Sequence, residues 1–378
     1  MFFSKNPYIY DYNNCANFAS LVVYILNNRK IYFAGGCFWG VEHFFKGVDG
    51  VLSTMPGYAN GDAGWGGQAG GSSSTGWGGQ APTYEQVYTD TTGYAETVEV
   101  IYDPARVSLK KLVRLFFASI DPLSLNRQGH DVGTRYRTGV YYCDADDRLT
   151  LEEAFSLMER RLGVPPVTEL DPLQRFWPAE ERHRDYLSKN TSGYCHLPFK
   201  AFKYLRLYQD LELLLGDEPD MVARQAQTAA LLQERMGFFW TGFYNVADGE
   251  LVLGPFQGPP ACFRIARGRG VCGTAWASGR TVVVPDVEEF PGHIACSSES
   301  RSEIVVPVRG KGSGSCEGRG SSKGSCEAGS SEGAGANYSA GCSKGSGNIT
   351  AVLDIDSTSP GTFDDTDATW LELITELV

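Results

Sequence analysis

The sequence "GGCFWG", residues 35–40, places one cysteine after two glycines and before two aromatic residues and a third glycine. The preceding "KIYFA" (30–34) alternates apolar side chains and predicts a strand, whereas the following "VEHFFKGV" (41–48) predicts a short amphipathic helix. A thiol in the first turn of a helix faces unpaired backbone N–H groups and the positive end of the helix dipole, which lower its pKa. Cys37 is therefore a candidate nucleophile, and the alternative is a small core residue in a glycine-rich turn.

The composition restricts the class of protein. A chain of 378 residues with 42% hydrophobic residues can bury more than one core, and two domains are expected. The net charge of −12 argues against nucleic acid as a partner and favours a cytoplasmic protein. The longest apolar run, "FASLVVYIL" (18–26), is about half as long as a helical membrane crossing. Ten cysteines without a C-x-x-C pair, with five histidines, predict neither a disulfide scaffold nor a metal site.

The pattern of helices and strands changes near residue 200. Before it, strands such as "TVEVIYD" (97–103) alternate with helices such as "SLKKLVRLFFAS" (108–119), which Ser108 can cap. After it, short strands with turn signals follow a helical segment, and a last helix ends the chain. We expect an α+β protein with an α/β two-layer sandwich domain, then a domain whose antiparallel sheet is flanked by helices. The predicted ranges are an extension 1–29 with poor order, a first domain 30–200 with a flexible Gly-rich insertion at 62–82, and a second domain 201–378 with a flexible Gly/Ser-rich insertion at 309–347.

Five ordered motifs of the first domain resemble a known family. These motifs are "GGCFWG", "PGYANG", "TGYAETVEVIYDP", "QGHDVGTRYRTGVYY" and "GYCHLP". Together they closely resemble the type A peptide methionine sulfoxide reductases, and the 62–82 insertion is the departure from the family pattern. The resemblance implies reduction of methionine-S-sulfoxide, peptide-bound or free, in oxidative-stress repair of proteins. It implies no cofactor, with thioredoxin as the electron donor.

The resemblance also implies a role for each matching residue. Cys37 would attack the sulfoxide sulfur, Glu96 would be the acid that protonates the oxygen, and Cys195 would resolve the Cys37 sulfenic acid as a disulfide. A carboxylic acid stays protonated in apolar surroundings, as this role requires. The substrate-binding residues implied are Phe38 and Trp39 as walls for the S-methyl group, Tyr58 and Tyr136 as hydroxyls for the oxygen, and Asp131 as a supporting carboxylate.

The second domain has three cysteines in Gly- and Pro-rich segments. They lie in "GPPACFRI" (258–265), "GRGVCGTAW" (268–276) and "PGHIACSSESRSEIVVP" (291–307), where reactivity is more usual than core packing. With "FFWTGFYNV" and "VLDIDS", these motifs resemble the free methionine-(R)-sulfoxide reductases, which are built on a GAF domain. The 309–347 insertion departs from that family.

This second resemblance implies Cys296 as the nucleophile, Cys262 as its disulfide partner and Cys272 as an accessory thiol. The sequence chemistry alone does not favour Cys296, because Cys272 precedes a helical segment and looks equally activated. Asp354 and Asp356 are two apart in a strand and so face one side of a sheet. With Glu303 they would form an acidic pocket for the substrate ammonium group, and Trp240 would pack on its methyl group. The alternatives left open are a regulatory, ligand-binding GAF domain and a homodimer formed through that domain.

Overall fold

The computed structural model describes residues 28–62, 81–294, 297–310 and 348–378. Most of the predicted extension, most of both predicted insertions, and Cys296 therefore lie outside the described residues; Arg29, the last residue of the predicted extension, begins strand β1, Arg29–Gly35. The chain divides into two compact units, of which the first ends at Gln209 and the second begins at Asp210.

The first unit is built on a six-stranded sheet. Its strand order is β7-β6-β1-β3-β2-β8, and all neighbours are antiparallel except β6 and β7, which are parallel. The "KIYFA" strand lies in the middle of this sheet as β1, and its residues from Ile31 onward are buried. The strands are β1 Arg29–Gly35, β2 Val51–Ala59, β3 Ala95–Tyr102, β6 Thr138–Tyr142, β7 Glu169–Pro172 and β8 Phe176–Pro178, with a separate pair β4 Arg127–Gln128 and β5 Asp131–Val132.

The helices of the first unit begin and end where local sequence signals place them. The predicted helix 108–119 is observed at Leu109–Ser119, and the Ser108 hydroxyl accepts a hydrogen bond from the Lys111 N–H as an N-cap. The helix that starts at Asp147 ends at Gly163, whose left-handed conformation (φ 76°) favours glycine. The helices are α1 Phe38–Lys46, α2 Tyr84–Tyr88, α3 Leu109–Ser119, α4 Asp147–Leu162 and α5 Tyr186–Lys189, followed by α6 Phe199–Leu215, which runs across the division at Gln209.

The second unit contains an antiparallel six-stranded sheet of order β11-β10-β9-β14-β13-β12. Strands β13 and β14 pair as antiparallel neighbours on either side of the 309–347 segment, as the sequence predicts. The strands are β9 Trp240–Ala247, β10 Glu250–Gln257, β11 Arg264–Ala266, β12 Val282–Val284, β13 Ser302–Arg309 and β14 Ile349–Ser357, and the helices are α7 Met221–Met236, α8 Gly270–Ser278 and α9 Asp365–Thr375. The α+β class with an antiparallel sheet in the second domain is thus confirmed.

Within the described residues, no helix has the length and apolar character that a membrane crossing requires.

Candidate active sites

Cys37 lies at the start of helix α1, as the strand-to-helix pattern predicts. It is the N-cap residue, with extended backbone angles (φ −61°, ψ 121°), and its side chain is 6% exposed. Gly36 before it has a φ of +85°, and a Cβ atom there would lie 2.6 Å from Cβ of Gln128. Both the backbone angle and the close approach therefore require glycine at this turn.

Glu96 lies beside the Cys37 turn, as the second residue of strand β3. Its Oε2 accepts a hydrogen bond of 3.0 Å from the backbone N–H of Phe38, and the residue is 1% exposed. Burial raises the pKa of Glu96 to about 8, although the Phe38 N–H partly opposes the shift. The carboxyl group is therefore mainly protonated at neutral pH, which is the state that a proton donor needs.

The pKa of Cys37 differs from the sequence expectation. The helix N-terminus predicted a lowered pKa, but burial raises the pKa of the Cys37 thiol well above its ordinary value, and the charge of Glu96 adds to the shift. The backbone N–H of Trp39 opposes the shift only in part. The physical reason is that loss of hydration disfavours the thiolate more strongly than one turn of helix can favour it.

The two predicted hydroxyl residues lie on different elements around Glu96. Tyr58 on β2 is the cross-strand partner of Glu96, so both side chains are on one face of the sheet, and the Tyr58 hydroxyl donates to Glu180 Oε2 at 2.8 Å. Tyr136 is buried, and burial followed by the charge of Glu96 raises its pKa. The guanidinium of Arg135 stacks 4.4 Å from the Tyr136 ring centroid and fixes its orientation.

Phe38 and Trp39 contribute aromatic walls of unequal exposure. Phe38 is 1% exposed, with its ring centroid 5.9 Å from that of Tyr58. Trp39 stacks on Tyr186 of α5 at 3.8 Å between centroids and lies on an open groove of about 580 Å³. The groove is otherwise lined by Tyr84, Glu85, Tyr88, Arg182 and His183.

Asp131 is hydrogen-bonded to Tyr194, the residue that precedes Cys195 in the chain. The hydroxyl of Tyr194 donates to Asp131 Oδ2 at 3.2 Å, and Cys195 follows directly in the chain. A Cβ atom on Gly40 would lie only 3.1 Å from the Cys195 sulfur. The second thiol is therefore packed on the first turn of α1, the helix that Cys37 caps.

Two further residues of this site were not found from the sequence. Glu180 accepts from both the Tyr58 hydroxyl and the backbone N–H of Tyr84, each at 2.8 Å. His183 accepts from the indole N–H of Trp39 at 3.3 Å, and burial lowers its pKa. Both residues come from the charged run "PAEERH", which is typical of a solvated surface, so no sequence signal marked them.

The predicted acidic residues of the second unit lie together in one cavity. The strand register places Trp240 on β9, Asp356 on β14 and Glu303 on β13 in one cross-strand row. Asp354, two residues before Asp356, lines the same cavity, which has a volume of about 40 Å³. The Ser300 hydroxyl donates to Asp356 Oδ1, and the Trp240 indole N–H donates to the carbonyl of Pro259 at 3.1 Å.

The surroundings of Cys272 raise the pKa of its thiol, whereas an activated thiol has a lowered pKa. It is 3% exposed, and its sulfur lies 3.9 Å from Glu303 Oε1. Burial and then the charge of Asp354 raise the pKa of the Cys272 thiol well above its ordinary value. The prediction that Cys272 looks equally activated is therefore wrong in this state, because its position at a helix start is outweighed by desolvation and nearby carboxylates.

The second unit has two other predicted thiols, Cys262 and Cys296. Cys262 is half-buried and packs against the hydrophobic core that contains Trp240 and Cys272. Cys296 lies outside the described residues, and Ile294 and Ser297, on either side of it in the chain, line the cavity.

The first unit thus places a thiol at a strand-to-helix turn beside a buried carboxyl group with a raised pKa. Residues 29–210 match the model of the family described as peptide methionine sulfoxide reductase, and residues 220–378 match that of the GAF domain. The chain belongs to the peptide methionine sulfoxide reductase family and carries a GAF domain after the reductase domain.

Individual relatives match one half of the chain or the other. A peptide methionine sulfoxide reductase of Clostridium acetobutylicum is 46% identical over 175 residues, which are 46% of this chain and 98% of that protein. The one from Clostridium perfringens is 43% identical over 169 residues, 45% of this chain and 98% of the relative. Among solved structures, a free methionine-R-sulfoxide reductase from Neisseria meningitidis in complex with its substrate is 43% identical, with 46% of this chain and 84% of that chain covered and a TM-score of 0.36.

Proposed function

We propose that the first domain reduces methionine-S-sulfoxide, peptide-bound or free, with Cys37 as nucleophile and Glu96 as proton donor. The observation that carries the proposal is the hydrogen-bonded contact between the Cys37 turn and a fully buried carboxyl group whose pKa is about 8. Reduction of a sulfoxide needs a sulfur nucleophile and a proton for the departing oxygen, and this pair supplies both.

In the first step of the proposed reaction, Glu96 and Cys37 exchange protons with the substrate and with each other. Glu96 gives its proton to the sulfoxide oxygen as the Cys37 sulfur attacks the sulfoxide sulfur, and the thiol proton passes to the Glu96 carboxylate. The oxygen then moves to the Cys37 sulfur, so that the products are methionine and a Cys37 sulfenic acid, with Glu96 protonated again. The high pKa of the resting thiol fits this step, because both protons are still bound when the substrate arrives.

The second thiol completes the cycle in this proposal. The Cys195 thiol attacks the Cys37 sulfenic acid, water leaves, and a disulfide forms between the two sulfurs. The packing of Cys195 on the first turn of α1 supports this role, since only a local rearrangement is then needed. A thioredoxin dithiol would reduce the disulfide by exchange and restore both thiols.

We infer for the second domain the reduction of free methionine-R-sulfoxide. The supporting observation is the row of Trp240, Asp356 and Glu303 with Asp354 in one cavity, since carboxyl groups can accept hydrogen bonds from an ammonium group and a methyl group fits an aromatic face. Cys296 remains the proposed nucleophile, with Cys262 and Cys272 as resolving thiols, on the basis of the sequence resemblance. Activity on opposite sulfur epimers would explain why the two domains share a chain.

One assay tests both proposals and the regulatory alternative. The purified full chain is given the S and R epimers of free methionine sulfoxide and of a peptide-bound sulfoxide, with thioredoxin and its reductase as the electron source. We expect turnover of both S substrates and of the free R epimer, and none of the peptide-bound R epimer. Absence of free R turnover in a folded chain would leave the regulatory GAF domain as the better description of the second domain.

A further inference from the structure

The cavity of the second unit brings a thiol and two carboxyl groups within coordinating distance of one another. The sulfur of Cys272 and one oxygen each of Glu303 and Asp354 all lie within 4.8 Å of each other. These side chains are at least nine-tenths buried, with exposures of 3%, 6% and 7%. Tetrahedral zinc with bonds of about 2.0–2.3 Å separates its ligand atoms by roughly 3.3–3.8 Å, so small side-chain rotations would close the cluster.

One oxygen in this cluster has no partner. Asp354 Oδ1 is buried and accepts no hydrogen bond from any of the described residues. A buried acceptor left in this state is costly, because it has lost water without replacement. It lies on the cavity wall beside a thiol, so a cation bound there would satisfy it.

His293 is the candidate fourth ligand, and it lies outside the three-residue cluster. Nε2 of His293 lies 3.8 Å from Glu303 Oε2, and the imidazole lines the same cavity. Burial lowers the pKa of His293, which favours the neutral form that coordinates metals. Sulfur, imidazole and two carboxylates in a tetrahedral set suit zinc, whereas magnesium and calcium prefer oxygen ligands in larger numbers.

We propose that Cys272, Glu303, Asp354 and His293 form a binding site for a thiophilic divalent cation of the zinc class. Binding displaces the thiol proton and the carboxyl protons into solvent and leaves a thiolate and two carboxylates around the ion. The ion occupies the carboxylates that the proposed function assigns to the substrate ammonium group. Zinc therefore inhibits the second domain and leaves the first domain active, and this inhibitory part of the inference rests on the proposed function.

Cobalt(II) is the probe for binding, because a cobalt–thiolate bond gives a charge-transfer band in the near ultraviolet. The full chain, reduced and chelator-treated, is titrated with cobalt without oxygen. We expect a band that Cys272→Ser removes and Cys262→Ser retains, since Cys262 is in the same domain but outside the cluster. Zinc should displace the cobalt, and magnesium at the same concentration should not.

A second variant protects the test against misfolding of Cys272→Ser. Asp354→Asn should weaken cobalt binding at least tenfold, while Asp248→Asn, the same change at an exposed turn, should leave it unchanged. No band in the folded parent chain, a band unaffected by Cys272→Ser, or equal displacement by magnesium would each overturn the site.

The inhibitory part is measured in a single turnover of the pre-reduced chain, so that no added dithiol competes for zinc. We expect zinc to suppress free R reduction and to spare peptide S reduction. Binding that depends on Cys272 without this suppression would overturn the inhibition. A metal-free chain that binds cobalt as expected but never reduces the free R epimer would refute the proposed function and leave the metal site standing.

Discussion

The burial of Glu96 keeps a proton available for catalysis but lowers the stability of the folded chain as the pH rises. Its pKa is raised to about 8 in the folded chain, whereas an unfolded glutamate ionises near about 4.3. Between these values the unfolded chain has lost the proton that the folded chain still binds. The contribution of Glu96 is therefore most favourable at low pH, and folding loses stability as the pH rises from about 4.3 toward 8.

Glu96→Gln should thus slow reduction of the peptide S epimer by about 10²–10⁴-fold, the usual contribution of general acid catalysis. The same variant should be more stable than the parent at pH 8, and the gain should shrink toward pH 5 by up to about 1.4 kcal/mol per pH unit. Thermal unfolding at several pH values measures this difference. Glu99→Gln, on the same strand but bound to the Tyr32 hydroxyl, is the control for activity and should keep the parent rate. A parent and variant with parallel stability curves would show that Glu96 does not hold its proton.

Gly40 determines how closely the second thiol can approach α1. A Cβ atom there would lie 3.1 Å from the sulfur of Cys195 and 3.1 Å from the ring of His196. Gly40→Ala should push both residues outward by a few tenths of an ångström. Thioredoxin-coupled turnover should then slow by about tenfold, less than the roughly 100-fold cost of a 1 Å misplacement. The first turnover without recycling should keep its rate, as it should in Cys195→Ser.

Gly47→Ala is the matched control, because Gly47 ends the same helix with an ordinary backbone angle (φ −80°). Equal slowing of the first turnover and of recycling in Gly40→Ala would mean that Gly40 shapes the Cys37 site itself rather than the approach of Cys195.

At the scale of elements, strands β13 and β14 stay paired as far as Arg309, with one register shift between Val308 and Arg309. Arg309 pairs with Ile349, and the N–H of Gly310 donates to the carbonyl of Asn348 at 3.0 Å. The two ends of the intervening segment are therefore at hairpin distance. Cys262, Cys296, Glu303, Asp354 and Asp356 all lie outside this segment in the sequence.

Replacement of 311–347 by Asn-Gly should therefore preserve the fold and the free R activity. The melting temperature should rise, because each halving of loop length lowers the closure cost by about 0.6 kcal/mol. Calorimetry and the epimer assay measure the two effects. A cooperative melt combined with lost activity would assign the segment, or one of Cys316, Cys326 and Cys342, a part in the reaction.

At the scale of the whole molecule, two sites on one chain raise the question of whether they depend on each other. Among the residues that the structure describes, the contacts given above for the two sites share no residue, and each site has its own thiols and its own buried carboxyl groups. We therefore expect each site to catalyse its reaction without the other.

Cys37→Ser should therefore abolish reduction of the S epimers and leave the free R rate unchanged, while Cys296→Ser should do the reverse. The double variant should lose both activities, with each loss equal to that of the single variant. Initial rates on separate epimers, with an unchanged thermal melt as the folding control, measure this. A change in peptide S rate on addition of a free ligand, abolished by Asp354→Asn, would instead support a regulatory GAF domain.

The sequence by itself determined the elements and the ordered motifs. The turn at Cys37, the cap at Ser108 and the alternation that puts Asp354 and Asp356 on one side of β14 all depend on neighbours within a few residues. Backbone sterics, capping and side-chain periodicity act over that distance, so these features can be predicted from a single chain.

Only the tertiary structure decided the electrostatics and the long-range partners. The raised pKa of Cys37, the carboxylates around Cys272 and the contact between Glu180 and Tyr58 join residues that are far apart in the chain. A pKa depends on hydration and on charges within a few ångströms, and both are set by how the sheets and loops pack. The sequence could therefore name most of the residues proposed for catalysis and anticipate a protonated Glu96, but not the raised pKa of the Cys37 and Cys272 thiols.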